Sequence, residues 1–166
     1  EVVRDKKATS LGGASGAVAG LVAITPAAGA LTPVGSIGLG IVAGIFCALA
    51  VGLKYKFGYD DSLDVVGVHL VGGLVGTLLI GFLASGDVGV FYGGDFSQLG
   101  KQAVAAGAVL AYSFVLTYII GKLIDVTIGF RISEEDEVLG IDQVEHLETA
   151  YDEAGLLGGS AIKTGV

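Results

Sequence analysis

Four long apolar segments, separated from one another by short polar stretches, dominate the hydrophobic pattern of this chain. They cover about residues 8–28, 35–53, 63–84 and 102–124. Each has close to the ~20 residues that a helix needs to cross about 30 Å of hydrocarbon at a rise of about 1.5 Å per residue. Buried hairpins of a large soluble protein would not repeat this length four times in succession. The pattern therefore predicts four membrane-spanning helices.

The breaks between the apolar segments have the chemistry of turns and helix ends. Thr25-Pro26 and Thr32-Pro33 bracket the first connection, and proline favours loops and helix ends. The polar run at residues 59–62 precedes the third segment. An acidic or hydroxyl side chain in that run can cap the N-terminus of the helix that follows.

The composition agrees with a membrane protein that carries a hydrophilic tail. Hydrophobic residues make up 52% and charged residues 16% of the chain, against about 25% charged residues in soluble domains. The net charge is −8, but nine of the 17 acidic residues lie between Glu134 and Glu153. This charge indicates a solvated tail and not a nucleic-acid-binding protein. We expect an all-α, polytopic transmembrane helix bundle over residues 1–132 and a cytoplasmic tail over residues 133–166.

Lysine and arginine are distributed unevenly around the four predicted spans, and the asymmetry predicts their orientation. When four spans alternate, one side receives Arg4, Lys6, Lys7, Lys54, Lys56, Lys122 and Arg131. The opposite side receives only Lys101. Because basic residues concentrate in cytoplasmic loops, we expect a multi-pass protein of the cell membrane with both ends of this chain in the cytoplasm.

Small residues recur at four-residue spacing in three of the predicted spans. The stripes are Gly12, Gly16 and Gly20, then Ser36, Gly40, Gly44 and Ala48, then Gly72 and Gly76. Such stripes let helix backbones approach closely in a bilayer, so we expect them to form helix contacts. Cys47 is the single cysteine, which excludes an internal disulfide, and we expect it to pack as a small hydrophobic residue.

Titratable residues are rare within membrane spans unless they have a function, and the third span contains Asp64 and His69. On a regular helix, residues at three- and four-residue spacing share a face. For His69 these neighbours are Val65, Val66, Gly72 and Gly73. The pattern predicts a narrow apolar slot with one polar group in it. Two interpretations stay open: the imidazole lines a passage, or it hydrogen-bonds to a neighbouring helix.

Apolar surroundings favour the neutral imidazole, which offers one hydrogen-bond donor and one acceptor. That form suits a small uncharged ligand, whereas a cage for a permanent cation would need carboxylates or rings of carbonyl groups. Asp64 would suit such a cage, but we expect it to cap the helix N-terminus or to form a link to a neighbouring helix.

Three segments have distinctive sequences in a fixed order. They are ASGAVAGLV at residues 14–22 with Ile24-Thr25-Pro26-Ala27, DDSLDVVGVH at residues 60–69, and Gly140-Ile141-Asp142 with His146, Glu148, Ala150 and Tyr151. Together they resemble the ammonium transporter (Amt/Mep/Rh) family, in particular the C-terminal portion of a microbial Amt. The first is similar to the eighth transmembrane helix, the second to the start of the tenth with its pore histidine, and the third to the cytoplasmic tail.

The resemblance implies an eleven-helix, all-α membrane protein in which these four spans are the eighth to eleventh helices. Two inverted five-helix repeats build such a protein, and it assembles as a homotrimer with one pore in each subunit. The first pore histidine and the outer binding site of the family lie on helices that would precede Glu1. We therefore expect a C-terminal fragment, beginning at an internal cut, that does not transport ammonium alone.

The resemblance also implies roles for individual residues. Family members move ammonium, ammonia and methylammonium through an apolar pore with two facing histidines, and His69 matches the second of these. Val65 matches part of the inner hydrophobic constriction, and Thr25 and Ser15 match positions near the outer half of the pore. Residue spacing and span position, apart from the resemblance, place Asp64, Gly72 and Gly73 as structural residues near the pore.

The tail has its own implied role. In the family it packs under the trimer, couples the subunits and helps to set contacts with a PII-type signal protein. The matching residues here are Gly140, Asp142, His146 and Tyr151. The acidic run at residues 134–137 is typical of a solvated face, and residues 155–166 are typical of a loose end. The sequence shows no metal-ligand spacing, catalytic triad or phosphate loop, so we predict neither an enzyme nor a cofactor.

Two other functions stay open beside transport. One is an ammonium sensor that uses the same fold to signal to a cytoplasmic partner. The other is a structural membrane bundle without a pore, in which His69 only bridges helices. The tail of about 33 residues is short for a signalling domain, which favours transport.

Overall fold

The computed structural model describes residues 6–148, so Arg4, Tyr151 and residues 155–166 lie outside the described part. The α-helices are α1 (Ser10–Ile24), α2 (Pro33–Val51), α3 (Leu53–Phe57), α4 (Val71–Leu83), α5 (Ser97–Thr127), α6 (Glu134–Leu139) and α7 (Ile141–Glu145). Short 3-10 turns occur at Thr25–Ala27 and Val90–Tyr92. A π-helical segment, Val65–Leu70, continues directly into α4.

Four helical stretches are long and apolar enough to cross a membrane: Ser10–Ala27, Pro33–Phe57, Val65–Leu83 and Ser97–Thr127. Between residues 6 and 148 the chain forms no strand. The predicted all-α, polytopic membrane fold is therefore confirmed. The eleven-helix numbering stays a prediction, as does the division into a bundle and a tail at residue 132.

Threonine side chains set the starts of the first two spans. The Gly12 N–H donates to Thr9 Oγ1 at 3.0 Å, and the Gly35 N–H donates to Thr32 Oγ1 at 3.1 Å. Each contact satisfies one of the N–H groups that a helix leaves free in its first turn. The fourth span begins at Ser97 rather than near residue 102, and there Asp95 Oδ1 accepts from the Ser97 N–H at 2.8 Å.

Helices α1, α2 and α4 pack against one another through small residues at four-residue spacing. The buried positions include Ala19, Ala23 and Ala27, then Leu39, Ala43 and Cys47, then Val68, Ile80 and Ala84. One cluster joins Ala23, Leu39 and Ile80, and a second joins Ala19, Cys47 and Val68. The second cluster places the π-helical segment beside the middle of α1 and the later part of α2. As expected, Cys47 packs as a small buried residue.

Of the three stripes of small residues, the stripe of Gly72 and Gly76 lies in a tight contact between described helices. A Cβ at Gly76 would overlap the Ala23 carbonyl group, and one at Gly72 would lie 3.3 Å from Cys47 Sγ, so this stripe does form a helix contact. By contrast, a Cβ at Gly16, Gly20, Gly40 or Gly44 would meet nothing within 4 Å.

Among the described helices these four glycines make no close backbone contact, and the prediction for the first two stripes stays untested with respect to other helices. The contacts are made by neighbouring stripes: Ala19 and Ala23 on α1 with Ala27 in the 3-10 turn that follows, and Leu39, Ala43 and Cys47 on α2. Both kinds of stripe have the same spacing, and alanine also permits close approach. Spacing alone cannot tell which stripe faces the neighbouring helix.

Hydrogen bonds join the connection after α1 to the loop after α4. The Ser85 N–H and Oγ–H both donate to the Ala30 carbonyl oxygen, at 2.9 and 3.1 Å. Thr32 Oγ1 and the Tyr92 hydroxyl lie 3.0 Å apart. These contacts fix the ends of three spans on the side opposite to Lys54.

The chain divides into two compact units between Ser113 and Phe114. In the second unit, Ser133 Oγ caps α6 by accepting from the Asp136 N–H at 3.1 Å. The first turn of α6 carries four acidic residues, which favour the positive end of a helix. Arg131 pairs with Glu137 at 3.2 Å.

Candidate pore segment

His69 lies in the π-helical segment Val65–Leu70. In this segment the Val71 N–H donates to the Val66 carbonyl oxygen, five residues earlier. An α-helix would form that bond over four residues, so the turn before α4 contains one additional residue. Such turns interrupt the regular face of a helix and occur frequently at functional sites.

Asp61 caps this segment with both oxygens of its carboxylate. Oδ1 accepts from the Val65 N–H at 2.6 Å, and Oδ2 accepts from the Val66 N–H at 3.0 Å. A carboxylate at a helix N-terminus satisfies free N–H groups and interacts favourably with the helix dipole. The expectation of an acidic cap from the polar run before the third span is confirmed, and the residue is Asp61.

Asp64 does not act as the cap. Its side chain makes no capping hydrogen bond; instead Lys54 Nζ donates to Asp64 Oδ1 at 2.6 Å and to the Asp61 carbonyl oxygen at 3.0 Å. The Asp64 backbone is left-handed, with φ 57° and ψ 33°, a conformation that aspartate tolerates better than most residues. Of the two roles predicted for Asp64, the structure supports the link to a neighbouring helix, namely α3.

One side of the π-helical segment is tightly packed. A Cβ at Gly67 would come within 2.9 Å of the Val51 Cα, so only glycine fits this approach to α2. Val68 is buried, and Cys47 Sγ lies 3.7 Å from its carbonyl oxygen. These contacts hold the segment against the end of α2.

The other side of the segment is exposed. His69 is exposed, and so are Val65 and Leu70, by 53% and 41%. Gly72 is buried in the contact with α2, whereas a Cβ at Gly73 would meet nothing within 4 Å. The two glycines three and four residues after His69 therefore differ in their surroundings, because Gly72 packs against α1 and α2 and Gly73 does not.

No residue between 6 and 148 forms a hydrogen bond with the His69 imidazole. The described helices therefore do not use this ring as a bridge, which was one of the two interpretations left open. They also do not bury it, so the apolar surroundings expected for the ring are not supplied by these helices.

Thr25 and Ser15 lie near opposite ends of α1. Ser15 is in the second turn, half-buried, and one turn before Ala19. Thr25 follows the end of α1 and its Oγ1–H donates to the Leu21 carbonyl oxygen at 2.7 Å. Thr25 lies at the end of the bundle where Thr32 begins α2. Ser15 lies nearer the opposite end, where Lys54 follows α2.

The tail residues within the described part have backbone roles. Gly140 has φ 103°, which favours glycine, and its N–H donates to the Asp136 carbonyl oxygen at 3.0 Å. The Asp142 carbonyl oxygen accepts from the His146 N–H at 3.1 Å. Tyr151, the fourth predicted tail residue, lies outside the described residues.

Sequence reasoning does not select Lys54 or Asp61 individually as residues of the candidate site. Lys54 contributes there only to the predicted orientation, and Asp61 only as one of the four residues of the polar run that is expected to cap the third span. One sequence pattern could have indicated them: a basic residue ends one span, and acidic residues begin the next after a short connection. In residues 6–148 no group of three or more histidine, cysteine or acidic side chains is arranged to hold a metal ion.

The sequence profile of the Ammonium Transporter Family matches residues 1–151. The chain belongs to this family. It is 55% identical over 163 residues to an ammonium transporter of Mycobacterium tuberculosis, an alignment that covers 92% of this chain and 34% of the relative. An ammonium transporter of Bacillus subtilis is 45% identical over 161 residues, covering 93% of this chain and 40% of the relative.

Solved structures of the family have the same fold. The crystal structure of Candida albicans Mep2 matches with a TM-score of 0.71 at 36% identity, over 84% of this chain and 34% of that chain. Saccharomyces cerevisiae Mep2 matches with a TM-score of 0.71 at 35% identity, over 83% of this chain and 33% of that chain. The chain thus spans about a third of the length of most of these relatives. The predicted family is confirmed.

Proposed function

We propose that this chain contributes part of the pore of a transporter that moves ammonium or ammonia, and methylammonium, across the cell membrane. His69 and Val65 line the passage in this proposal. Membership of the Ammonium Transporter Family supports the substrate, and the relatives from Mycobacterium tuberculosis and Bacillus subtilis are named ammonium transporters.

The observation that carries the pore role is an exposed imidazole on a membrane-spanning helix that is packed on its other side. His69 is exposed, whereas Gly67 and Val68 of the same segment are buried against α2. Ionisable residues within spans almost always face protein or a water-filled cavity and not lipid. The exposed side of Val65–Leu70 therefore faces a passage or further protein in the assembled transporter.

Desolvation explains how such a passage selects its substrate. A neutral ammonia molecule loses little when it leaves water, and it can donate to or accept from a neutral imidazole. A bare potassium or sodium ion would lose its hydration without receiving carbonyl or carboxylate ligands in exchange. The apolar side chain of Val65 beside His69 adds to this barrier. A proton would need a separate route, for which a histidine pair is suited.

The assembly around this pore is part of the proposal. Both ends of the chain lie in the cytoplasm, as the placement of lysine and arginine favours. Three subunits form a homotrimer, and Gly140, Asp142 and His146 take part in regulation at the cytoplasmic face, where a PII-type signal protein binds. Thr25, near the opposite end of α1, contributes to the outer half of the pore.

A grafted transporter tests the pore role of His69. Residues 1–151 of this chain replace the matching segment of the Mycobacterium tuberculosis relative, and uptake of labelled methylammonium is measured in cells that lack ammonium transport. We expect His69→Ala to change the uptake rate or the exclusion of potassium, with normal trimer assembly. Lys56→Gln, at an exposed lysine of α3 outside the segment Val65–Leu70, is the control and should change neither.

Three results separate the interpretations. Lost assembly in His69→Ala would indicate a bridging histidine and a bundle without a pore. Unchanged uptake and unchanged potassium exclusion would exclude the pore role. Separately, the chain of 166 residues expressed alone should give no methylammonium uptake, and measurable uptake would show that this expectation is wrong.

A further inference from the structure

Three polar residues, Lys54, Asp61 and Asp64, meet at the end of the π-helical segment that carries His69. Together their side chains form the two Asp61 caps, the Lys54–Asp64 ion pair and the bond from Lys54 to the Asp61 carbonyl oxygen. None of these hydrogen bonds goes to His69. They go to the backbone at the start of the segment or join the three residues to one another, and Lys54 Nζ also lies 5.3 Å from the centre of the Tyr55 ring.

These contacts hold the N-terminal end of the π-helical segment in place. Asp64 holds a left-handed backbone directly before the π-helical turn, a conformation that costs free energy for a residue other than glycine, although less for aspartate than for most. Its carboxylate is held by Lys54, whose side chain is only 14% exposed. Asp61 holds the next two N–H groups. The additional residue of the turn is thus fixed from its N-terminal end.

The C-terminal end of the same turn is fixed by packing. Gly72 and Gly76 lie against α2 and α1, and their close contacts set the rotation of α4. If the turn relaxed to α-helical geometry, the residues before it would rotate by about 100°, the angle of one residue on a helix. Val65 would leave its side of the helix, and the direction of the His69 side chain would change.

We propose that Lys54, Asp61 and Asp64 are positioning residues that keep the turn before α4 in its π-helical register and thereby orient His69 and Val65 toward the passage. The inference rests on the proposed pore role of His69. It assigns to the cytoplasmic connection a role in transport that does not require contact with the substrate.

The test uses the grafted transporter described above, with uptake expressed per assembled trimer. We expect Asp61→Ala to lower the maximal uptake rate about fivefold or more, the factor that corresponds to loss of a strong N-cap. The KM for methylammonium should change by less than about twofold, because the residue does not touch the substrate. Asp61→Ala combined with His69→Ala should be no slower than His69→Ala alone.

The ion pair is tested by a double-mutant cycle. Lys54→Gln and Asp64→Asn should each lower the maximal rate, and the double variant should be no slower than the slower single variant, because both remove one contact. Lys54→Arg should restore part of the rate. Lys56→Gln is the matched control, since this lysine lies on the same helix, is exposed and makes no contact with Asp61 or Asp64.

Each outcome decides between the proposals. If His69→Ala impairs transport but Asp61→Ala does not, or if their losses multiply, the positioning role is excluded and the pore role stands. If His69→Ala has no effect, the pore role fails, and the positioning role falls with it. If Asp61→Ala does not assemble, Asp61→Asn, which keeps one acceptor oxygen, and Lys54→Gln replace it. Each is combined with His69→Ala, and a double variant slower than His69→Ala alone excludes the positioning role.

Discussion

Along Val65–Leu83, the packed side presents glycine where another helix backbone lies close, and the exposed side presents His69 with apolar neighbours. Gly67, Gly72 and Gly76 leave no room for a Cβ or only a tight fit. On the exposed side, Val65 and Leu70 contact no described helix closely enough to be buried. The difference separates two demands on one helix: the packed side fixes position, and the exposed side is left for a partner or a passage.

The largest expected effect comes from breaking the packed side at Gly76. In Gly76→Ala the new Cβ would overlap the Ala23 carbonyl group, so α1 and α4 must move apart. We expect a loss of about 3 kcal/mol or more in the free energy of unfolding, at the upper end for overpacking. The measurement is SDS-induced unfolding of the chain in detergent micelles, followed by circular dichroism.

Gly73→Ala is the matched control for Gly76→Ala. It lies on the same helix, and its Cβ would meet nothing within 4 Å, so unfolding should occur at the same SDS fraction as in the unmodified chain or slightly above it. Equal destabilisation by both substitutions would contradict the assignment of the packed side.

Hydrophobic segment length was sufficient to predict the four spans, because a bilayer imposes nearly the same length on every crossing helix. It was not sufficient to predict which small residues form contacts. Gly16-Gly20 and Ala19-Ala23 share one helix and one spacing, and only the positions of α2 and α4 decide between them. Tertiary packing, and not local preference, selected the alanines.

The candidate site shows a similar limit. An imidazole in a span and the motif at residues 60–69 select His69 as the candidate, and its pore role stays a prediction. The local pattern did not predict the π-helical turn, because residue spacing describes a regular helix and carries no information on the contacts at the turn, which are the Lys54–Asp64 pair and the approach of Gly67 to Val51.

A second prediction compares an aliphatic residue on each side of the helix. Ile80 is 7% exposed in the main cluster, and Leu70 is 41% exposed. We expect Ile80→Ala to lower the free energy of unfolding by about 2 kcal/mol, the low end for a core cavity, because lipid-like tails are as apolar as a protein interior. Leu70→Ala should change it by less than about 0.5 kcal/mol. Similar losses in SDS unfolding would show that the two sides are not packed differently.

A third prediction concerns the end of the packed side at the connection after α1. Thr32→Ala removes both the cap of α2 and the contact with the Tyr92 hydroxyl, so we expect a loss of about 1–2 kcal/mol. Tyr92→Phe removes only the second contact and should lose about 1 kcal/mol or less. Thr32→Ser keeps both hydroxyl contacts and serves as the control. A loss in Tyr92→Phe as large as in Thr32→Ala would contradict the capping role.

The smallest expected effect on the unfolding of the chain alone belongs to Gly20→Ala, and the same substitution tests packing in the grafted transporter. Gly20 lies on α1 beside the contact stripe, and a Cβ there would meet nothing within 4 Å. Gly20→Ala should leave unfolding of the chain in micelles unchanged or stabilise it by up to about 1 kcal/mol, because alanine favours helix over glycine. In the grafted transporter, the same substitution would lower the yield of assembled trimer if the exposed stripe packs tightly against other helices, since a methyl group added at a tight backbone contact would overlap the neighbouring helix. Unchanged yield in the grafted transporter would show that this stripe has no packing role there, and destabilisation of the chain alone would show that α1 is packed on that side as well.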